Sequence, residues 1–452
     1  MKRRDFLQKL LASGFINALP FQMHRAYGAQ TVPHFFVMVN AGGGWDPTHF
    51  CDPKGLNQAY PDRAGSFNGY DGSVNRVALD ENKRIGDIQW SAIPDAFGDT
   101  EHDRIENQFD NLFQSYGSRM TVINGLDTGT NNHATGNRYI WSGQSDMGYP
   151  SFAALYAGAT APSLPMSFIS NGGYDETAGL VARARANNAN YLSELADSNY
   201  QDSTNGYFYR NQDSSVDVYQ SILSAQRQRL VRQQTQETLP LRRKQLAQLL
   251  TVREEDANLG AMKSQVDLIN ENLNLNDHMN NRNRGFKTQA QVAAAAFSSG
   301  LSAAVMLNSG GFDTHGNHDV SQTRSLGDLF EGVDYLLQCL SYLGIAHKTT
   351  VVMGSDFGRT PYYNSGQGKD HWPVSSMMVL HDSTKNTGGK VFGATSEQFR
   401  ALAVNSSTGL HDEAGIILTP AHVHKELRVF AGIDQAPATL GFPISKQVLS
   451  LF

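Results

Sequence analysis

The stretch NSGGFDTHGNH, from Asn308 to His318, holds one carboxylate and two imidazoles behind two glycines, at the end of the apolar run LSAAVML. Aspartate and histidine side chains are common ligands of divalent metals, so this spacing raises the question of a metal site. Taken singly, His315 and His318 are better explained as solvent-facing residues of a loop. The motif predicts a site only if further ligands come from elsewhere in the chain.

Three aspartates stand at equivalent places, just beyond apolar runs that are typical of buried strands. They are Asp46 after HFFVMVN, Asp313 after LSAAVML and Asp356 after KTTVVMGS. Because the carboxyl ends of parallel strands lie along one edge of a sheet, we expect these acids to converge. Carboxylates that converge repel one another and are usually compensated by a cation.

Histidines near these acids complete the candidate ligand set. They are His315 and His318 in the opening motif, His371 in GKDHWP and His133 in NNHATG. Simpler explanations exist for single residues: Asp46 or Asp356 alone fits capping of the next helix or turn, and His133 alone fits a structural hydrogen bond. The repetition of apolar run, small residues and aspartate favours a dispersed metal site.

The two cysteines narrow the choice of metal. Cys51 and Cys339 are far apart and have no CxxC partner, so a thiolate zinc site is excluded and a disulfide has no support from spacing. Histidine and carboxylate ligands suit zinc, manganese or iron, or a harder cation such as calcium. We predict a divalent metal, with zinc, manganese or calcium as the candidates.

The length, composition and charge of the chain limit the classes of protein to which it can belong. The chain has 452 residues, of which 40% are hydrophobic, so it is globular and long enough for one large α/β domain with an insertion or for two ordinary domains. The formal net charge is -6, the isoelectric point is near 6.2, and no basic stripe is present. We therefore expect no nucleic-acid partner.

The N-terminus has the features of an export signal. Arg3 and Arg4 are followed by a moderately apolar stretch and by the small-residue sequence AYGA, with a mature start near Ala29 or Gln30. The arginine pair before Asp-Phe-Leu resembles the twin-arginine type. We predict a signal over residues 1–29, the twin-arginine translocation machinery as a partner, and a periplasmic or secreted protein. An amphipathic first helix is the alternative, and no other stretch is apolar enough for stable membrane insertion.

The mature chain, residues 30–452, is predicted as one α/β domain. Buried-type strands, among them MTVINGL, LPMSFIS and SSMMVL, alternate with amphipathic helices, which predicts a doubly wound, mostly parallel sheet. Residues 52–105 indicate an irregular surface excursion. Polar helices at about 191–285 indicate a helical insertion on the sheet domain, with a coiled-coil arm as the alternative.

Two segments carry a family resemblance. GGFDTHGNH and SDFGRTPYYNSGQGKDHWP, together with the twin-arginine leader, resemble the bacterial secreted proteins known as domain of unknown function 1501. The likeness covers essentially the whole mature chain. That family in turn is similar to the alkaline phosphatase and sulfatase superfamily, whose members hold one or two divalent metals at the carboxyl edge of such a sheet and cleave phosphate or sulfate esters.

The resemblance implies roles for individual residues. Asp46, Asp313, His315, Asp356 and His371 would be metal ligands, Arg359 and Lys369 would neutralise an anionic ester, and Thr130 would be the nucleophile. His318 is an alternative to His315, because the Asp313–His315 spacing is tighter than the family's usual spacing. Asn132 and His133 are alternatives at the nucleophile position, as is a water. Phe357 stands where the superfamily commonly has a histidine ligand.

Two functions of different class follow. The first is a metal-dependent hydrolase of phosphate or sulfate esters, in which a hydroxyl or water attacks the ester and a cation stabilises the developing charge. The second is a catalytically inactive extracytoplasmic accessory or binding protein on the same scaffold. The ligand set favours the enzyme, whereas Phe357 and the absence of an obvious nucleophile favour the accessory protein.

Overall fold

The computed structural model describes residues 32–54, 80–94, 97–186, 216–240, 242–243, 246–247, 250, 256–273, 283–381 and 388–452. The predicted export signal lies outside these residues. So does part of the segment predicted as a helical insertion.

Eight strands form the central sheet, and four short strands form two separate pairs. In chain order the strands are β1 (Phe35–Ala41), β2 (Arg84–Ile85), β3 (Ile88–Gln89), β4 (Met120–Asp127), β5 (Phe168–Ser170), β6 (Arg183–Ala184), β7 (Ala304–Ser309), β8 (Thr349–Ser355), β9 (Gly358–Arg359), β10 (His371–Trp372), β11 (Val374–His381) and β12 (Lys390–Phe392). The order in the central sheet is β12-β4-β11-β8-β1-β7-β5-β6, and β2 pairs with β3 and β9 with β10.

Parallel pairing dominates the central sheet. Every neighbouring pair is parallel except the two that involve β11, which runs against both β4 and β8. Each of the six apolar runs that were predicted as strands contains a strand of the central sheet, although LPMSFIS is a strand only over Phe168–Ser170. The predicted α/β class with a mostly parallel sheet is therefore confirmed.

Nine helices and three short 3₁₀ turns have described bounds. The helices are α1 (Asp99–Tyr116), α2 (His133–Ser142), α3 (Phe152–Thr160), α4 (Val216–Gln236), α5 (Asp256–Leu273), α6 (Arg284–Ser298), α7 (His318–Tyr342), α8 (Pro420–Phe430) and α9 (Pro437–Leu440). The 3₁₀ turns are Pro47–His49, Gly117–Arg119 and Ala346–Lys348. Within the described residues, no helix is both long and apolar enough to cross a membrane.

Helices cover both faces of the sheet. Successive residues of a strand point to opposite faces, and the first two residues of β1 show where each helix layer lies. Phe35 stacks on Phe297 of α6 at a centroid distance of 4.5 Å, whereas Phe36 meets Tyr156 of α3 edge-on at 4.6 Å. Every residue of β1 is buried, as its nearly unbroken apolar sequence predicts.

The described helices of the segment 191–285 differ in burial. Helix α5 packs against α6 and α7 and buries Met262, Val266 and Ile269, which recur at helical spacing. Helix α4 is mostly exposed where its side chains are described, with Leu230 buried. The role and limits of this insertion stay predictions.

The loop after β1 is held tightly against the loop after β7. Gly43 has a φ of 122°, a conformation open to glycine but strained for other residues. A Cβ at this position would lie 2.5 Å from the backbone nitrogen of Asp313. The close approach therefore depends on glycine and holds the loop after β1 against the backbone of Asp313.

Substitution of Gly43 should cost more stability than its backbone angle alone explains. We expect Gly43→Ala to lower the free energy of unfolding by more than about 3 kcal/mol, because strain and a backbone clash add. Gly300→Ala is the matched control: its φ is also positive, at 67°, but a Cβ there meets no atom within 4 Å. It should cost about 1–2 kcal/mol. Equal losses in urea denaturation would contradict the close approach.

Candidate metal centre

Four polar side chains converge at the carboxyl edge of the sheet. They are His133, Asp313, His315 and His371, which we call the open cluster because each is at least partly exposed. The Nε2 atoms of His315, His371 and His133 lie 3.1, 3.5 and 3.7 Å from Asp313 Oδ1. Three imidazoles therefore face one carboxylate oxygen.

Different elements bring these residues together. Asp313 and His315 follow β7, and His133 is the first residue of α2, which follows β4. The Asn132 side chain caps α2 by accepting the backbone N–H of Thr135 at 3.0 Å. His371 reaches the same edge because β11 is antiparallel and pairs its first residue with the last of β4. The reversal of β11 thus delivers the fourth member of the cluster.

Helix α2 lies unusually close to the loop after β8. Gly136, one turn beyond His133, has so little space that a Cβ there would lie 2.3 Å from the carbonyl oxygen of Asp356. This proximity brings the Asp356 carboxylate behind the His133 ring. Gly43 N–H donates to the same carboxylate at 3.1 Å.

Each imidazole of the open cluster is held at its second nitrogen by an oxygen acceptor. His133 Nδ1 meets Asp356 Oδ2 at 2.7 Å, His315 Nδ1 meets Asp370 Oδ1 at 2.8 Å, and His371 Nδ1 meets the Asn131 carbonyl oxygen at 2.8 Å. These oxygens accept hydrogen bonds, so each Nδ1 carries the proton of the neutral ring. The three Nε2 lone pairs are then directed into the cluster, as metal ligation requires.

Two of the Nε2 atoms that face the cluster are too close together for both to present an unshared lone pair. His315 Nε2 and His371 Nε2 are 3.0 Å apart, although both rings already donate through Nδ1. Such a contact needs a shared proton or a cation. Burial, together with the charge of Arg359 and the neighbouring imidazoles, outweighs the hydrogen bond to Asn131 and lowers the pKa of His371, which disfavours a proton on the Nε2 atom of that ring. The donor set therefore fits a cation.

Asp313 is an anion in this arrangement. Its partial burial raises its pKa, but the hydrogen bond from Arg359 and the guanidinium charge outweigh that effect and leave the pKa below the ordinary value. Arg359 Nη2 donates to Asp313 Oδ1 at 2.7 Å. A carboxylate that is ionised at neutral pH and faces three imidazole nitrogens is a chemically reasonable metal ligand set.

Arg359 is fully buried and its donors are engaged within the protein. Nε donates to Gly44 O at 2.9 Å, Nη1 to Lys369 O at 3.0 Å and to His315 Nε2 at 3.5 Å, and Nη2 to Asp313 and Gly43 O. These contacts account for the five N–H groups of a guanidinium. Arg359 thus ties the loop after β1 to Asp313 and to the strand pair β9–β10.

A second group of ionisable side chains lies in the interior. It consists of Asp46, His49, His318 and Lys369, which we call the buried cluster because each is at most 1% exposed. Asp46 Oδ2 receives the Lys369 ammonium at 2.7 Å and His318 Nε2 at 3.0 Å, and His49 Nε2 lies 3.7 Å away. The Asp46 side chain therefore faces the interior, away from the partners that join the open cluster.

One ion pair dominates the buried cluster. Burial raises the pKa of Asp46, but Lys369 and the two imidazoles outweigh it and hold the pKa well below its usual value. Burial lowers the pKa of His318 to about 4 and that of His49 well below its ordinary value, so both rings are neutral at pH 7. The remaining charges are the Asp46 carboxylate and the Lys369 ammonium. A divalent cation bound to Asp46 Oδ2 would lie beside that ammonium.

The two clusters lie on opposite sides of the same two chain segments. Asp313 and His315 face the open cluster, whereas Thr314 between them meets His318 Nδ1 at 2.7 Å. Lys369 points inward, and Asp370 and His371 point outward. The segments are joined by a hydrogen bond from Lys369 N to Thr314 O at 3.2 Å. The buried cluster therefore lies directly beneath the open cluster, on the interior side of these two segments.

The predicted site residues fall into these two places. Asp313, His315, His371 and His133 meet in the open cluster, Asp356 lies behind His133, and Arg359 contacts Asp313. Asp46, His318 and Lys369 meet in the buried cluster instead of at that site. Thr130 Oγ1 accepts the backbone N–H of Asn132 at 3.1 Å, and Asn132 is the cap of α2. Which of these residues bind metal or substrate stays a prediction.

Two residues of these surroundings were not predicted from the sequence. His49 lies in the buried cluster three residues after Asp46, and Asp370 directly precedes His371; adjacency to a candidate ligand was the only available signal. Phe357 was noted as a departure from the family pattern. Its buried ring packs against the imidazoles of His133 and His371, at centroid distances of 4.7 and 4.5 Å, and forms a wall of the open cluster.

Loss of the buried cation should destabilise the whole domain. We expect Lys369→Met to lower the free energy of unfolding by about 3–5 kcal/mol, because the Asp46 carboxylate is left buried without a counter-charge. The exposed Lys446→Met is the control and should change stability by less than about 0.5 kcal/mol. Denaturant unfolding at pH 7 measures both. A loss below about 1 kcal/mol for Lys369→Met would show that the ion pair is not structural.

Comparison with known proteins gives a family but no activity. The model of the family described as "Protein of unknown function (DUF1501)" matches residues 35–430. No curated protein matches the chain.

Solved structures give distant matches. One is Ps i-CgsB in complex with k-i-k-neocarrahexaose, with 9% identity, a TM-score of 0.36, and coverage of 93% of this chain and 75% of that chain. Another is a putative sulfatase from Bacteroides thetaiotaomicron VPI-5482, with 9% identity, a TM-score of 0.26, and coverage of 93% and 74%. At these scores neither match assigns a function. Because the family model spans most of the chain, the protein belongs to the DUF1501 family.

Proposed function

We propose that the open cluster binds one divalent metal ion and that the protein hydrolyses phosphate or sulfate esters there. The observation that carries the proposal is the convergence of three imidazole Nε2 atoms on Asp313, with every Nδ1 held by an oxygen acceptor. Three nitrogen donors and one carboxylate suit zinc or manganese better than calcium, which prefers oxygen ligands.

Two observations favour the open cluster over the buried one as the metal site. The Lys369 ammonium lies 2.7 Å from Asp46 Oδ2 in a cluster without solvent exposure, so a divalent ion on that oxygen would be repelled without screening by water. Arg359 lies equally close to Asp313, but the Asp313 side chain is 53% exposed, so water screens the repulsion there. Both nitrogens of His318 are engaged, Nε2 by Asp46 and Nδ1 by Thr314. We therefore assign His315 rather than His318 to the proposed metal centre.

When bound, a divalent metal supplies Lewis-acid polarisation of an ester oxygen and lowers the pKa of a coordinated water. Asp313 and the three imidazoles would hold it, Arg359 fixes Asp313, and the Phe357 ring limits access of water from one side. The surroundings hold three carboxylates, those of Asp313, Asp356 and Asp370, against the single guanidinium. An anionic ester would therefore be repelled unless the cluster holds a divalent cation, so hydrolysis should depend on metal loading.

Water is the better candidate for the attacking group. A hydroxyl nucleophile needs a base within hydrogen-bond reach. The Thr130 hydroxyl accepts a backbone N–H, and its described contacts include no imidazole or carboxylate. Arg359 and Lys369, which the resemblance implies as substrate contacts, have their donors engaged inside the protein.

A catalytically inactive accessory protein is the second candidate. Phe357 occupies the place where the superfamily commonly has a histidine ligand, and both buried cations serve internal contacts. In either case we propose export by the twin-arginine machinery to the periplasm or exterior, on the evidence of the leader sequence.

Metal binding should depend on the open cluster. We expect the purified mature protein to bind about one zinc or manganese ion per chain, and His371→Ala to weaken binding by at least about 100-fold, because a ligand is lost. The exposed His411→Ala is the matched control and should bind like the wild type. Isothermal titration and metal analysis measure both. Equal binding by the two variants would refute the assignment.

Ester hydrolysis should need the metal but not the Thr130 hydroxyl. With metal-loaded protein and aryl phosphate and sulfate esters, we expect Asp313→Ala to abolish turnover and Thr130→Val to change kcat/KM by less than about threefold. A loss of about 1000-fold or more in Thr130→Val would identify Thr130 as the nucleophile. Uniform inactivity of metal-loaded wild type across the panel would favour the accessory function.

A further inference from the structure

We infer that Asp370 is a positioning residue, which fixes the His315 ring in the tautomer that directs Nε2 into the open cluster. The inference rests on the proposed metal site but makes a separate claim about the metal-free protein. Asp370 was not among the predicted site residues. It follows the buried Lys369 and precedes His371 in the sequence.

The Asp370 carboxylate is held in place before it meets the imidazole. Its Oδ1 accepts Asn364 Nδ2 at 3.1 Å as well as His315 Nδ1 at 2.8 Å. Its backbone exchanges two hydrogen bonds with Thr360: Asp370 N donates to Thr360 Oγ1 at 3.0 Å, and Thr360 N donates to Asp370 O at 2.9 Å. A fixed acceptor at Nδ1 selects the tautomer that is protonated there.

Without this acceptor, the contacts on the other side of the ring would select the opposite tautomer. His315 Nε2 lies 3.1 Å from Asp313 Oδ1 and 3.0 Å from His371 Nε2, and both are acceptors; the one donor there, Arg359 Nη1, is farther away at 3.5 Å. A proton on Nε2 would be stabilised by either atom and would occupy the lone pair that a metal needs. Asp370 therefore opposes the tautomer that is protonated at Nε2, which would block metal binding by His315.

The neighbouring ring provides an internal control. His371 Nδ1 donates to the backbone carbonyl of Asn131, which no side-chain substitution removes. If Asp370 acts through His315, its loss should change the tautomer of His315 and leave that of His371 unchanged. A general disturbance of the loop would change both.

The first experiment records imidazole ¹⁵N chemical shifts of the metal-free mature protein at a pH where the rings are neutral. His315→Ala identifies the His315 signals. We expect Asp370→Ala to move His315 from mainly Nδ1–H to mainly Nε2–H, and Asp370→Asn, which keeps a neutral acceptor, to give a smaller shift. The exposed Asp146→Ala makes the same change in net charge and should have no effect. An unchanged His315 tautomer in Asp370→Ala overturns the inference.

The second experiment separates positioning from simple attraction between a carboxylate and a cation. Zinc binding is titrated in the wild type, Asp370→Ala, His315→Ala and the double variant. We expect Asp370→Ala to weaken binding about 10- to 100-fold in the wild-type background and less than about threefold in the His315→Ala background. An equal loss in both backgrounds shows that Asp370 acts through its charge alone and overturns the inference. A wild type that binds no zinc refutes the proposed metal site, while the tautomer measurement still decides the role of Asp370.

Discussion

The ion pair between Lys369 and Asp46 is the interaction on which the site depends. It lies in the interior, where desolvation of two charges costs several kcal/mol per ion, and its 2.7 Å contact is supplemented by His318 and the Thr48 hydroxyl. Breaking it would leave a buried charge. Because Lys369 lies two residues before His371, the pair also fixes the segment that carries this member of the open cluster.

Arg359 extends this framework to the surface. Its guanidinium binds the carbonyls of Gly43 and Gly44 on one side and Asp313 on the other, so the loops after β1 and β7 share one rigid donor. The approach is tight enough that Gly43 must lack a side chain. Arg359, which the family resemblance implied as a substrate contact, links the buried cluster to the exposed ligands through Lys369 O and Asp313.

The sequence predicted the fold and the sheet edge well, because those depend on local pattern. Continuous apolar runs indicated the strands of the central sheet that flank the site, and strand ends located the acids. It could not predict the direction of individual side chains. Asp46 and Asp313 each follow a glycine-containing loop, yet one points inward and the other outward, and that choice depends on Lys369 and Arg359, which are hundreds or tens of residues away. His49 and Asp370 were missed for the same reason.

The division of charge between the clusters bears on what the site can do. The two buried cations of the site are neutralised within the protein, Lys369 by Asp46 and Arg359 by Asp313, so neither is left to attract a substrate. The exposed side instead gathers carboxylates behind two of its three imidazoles. Such an arrangement is unfavourable for an anionic ligand and favourable for a divalent cation, which makes cation binding the first event that the geometry supports. Any chemistry on an ester would follow from it, since the described residues of the site offer no other compensation for negative charge.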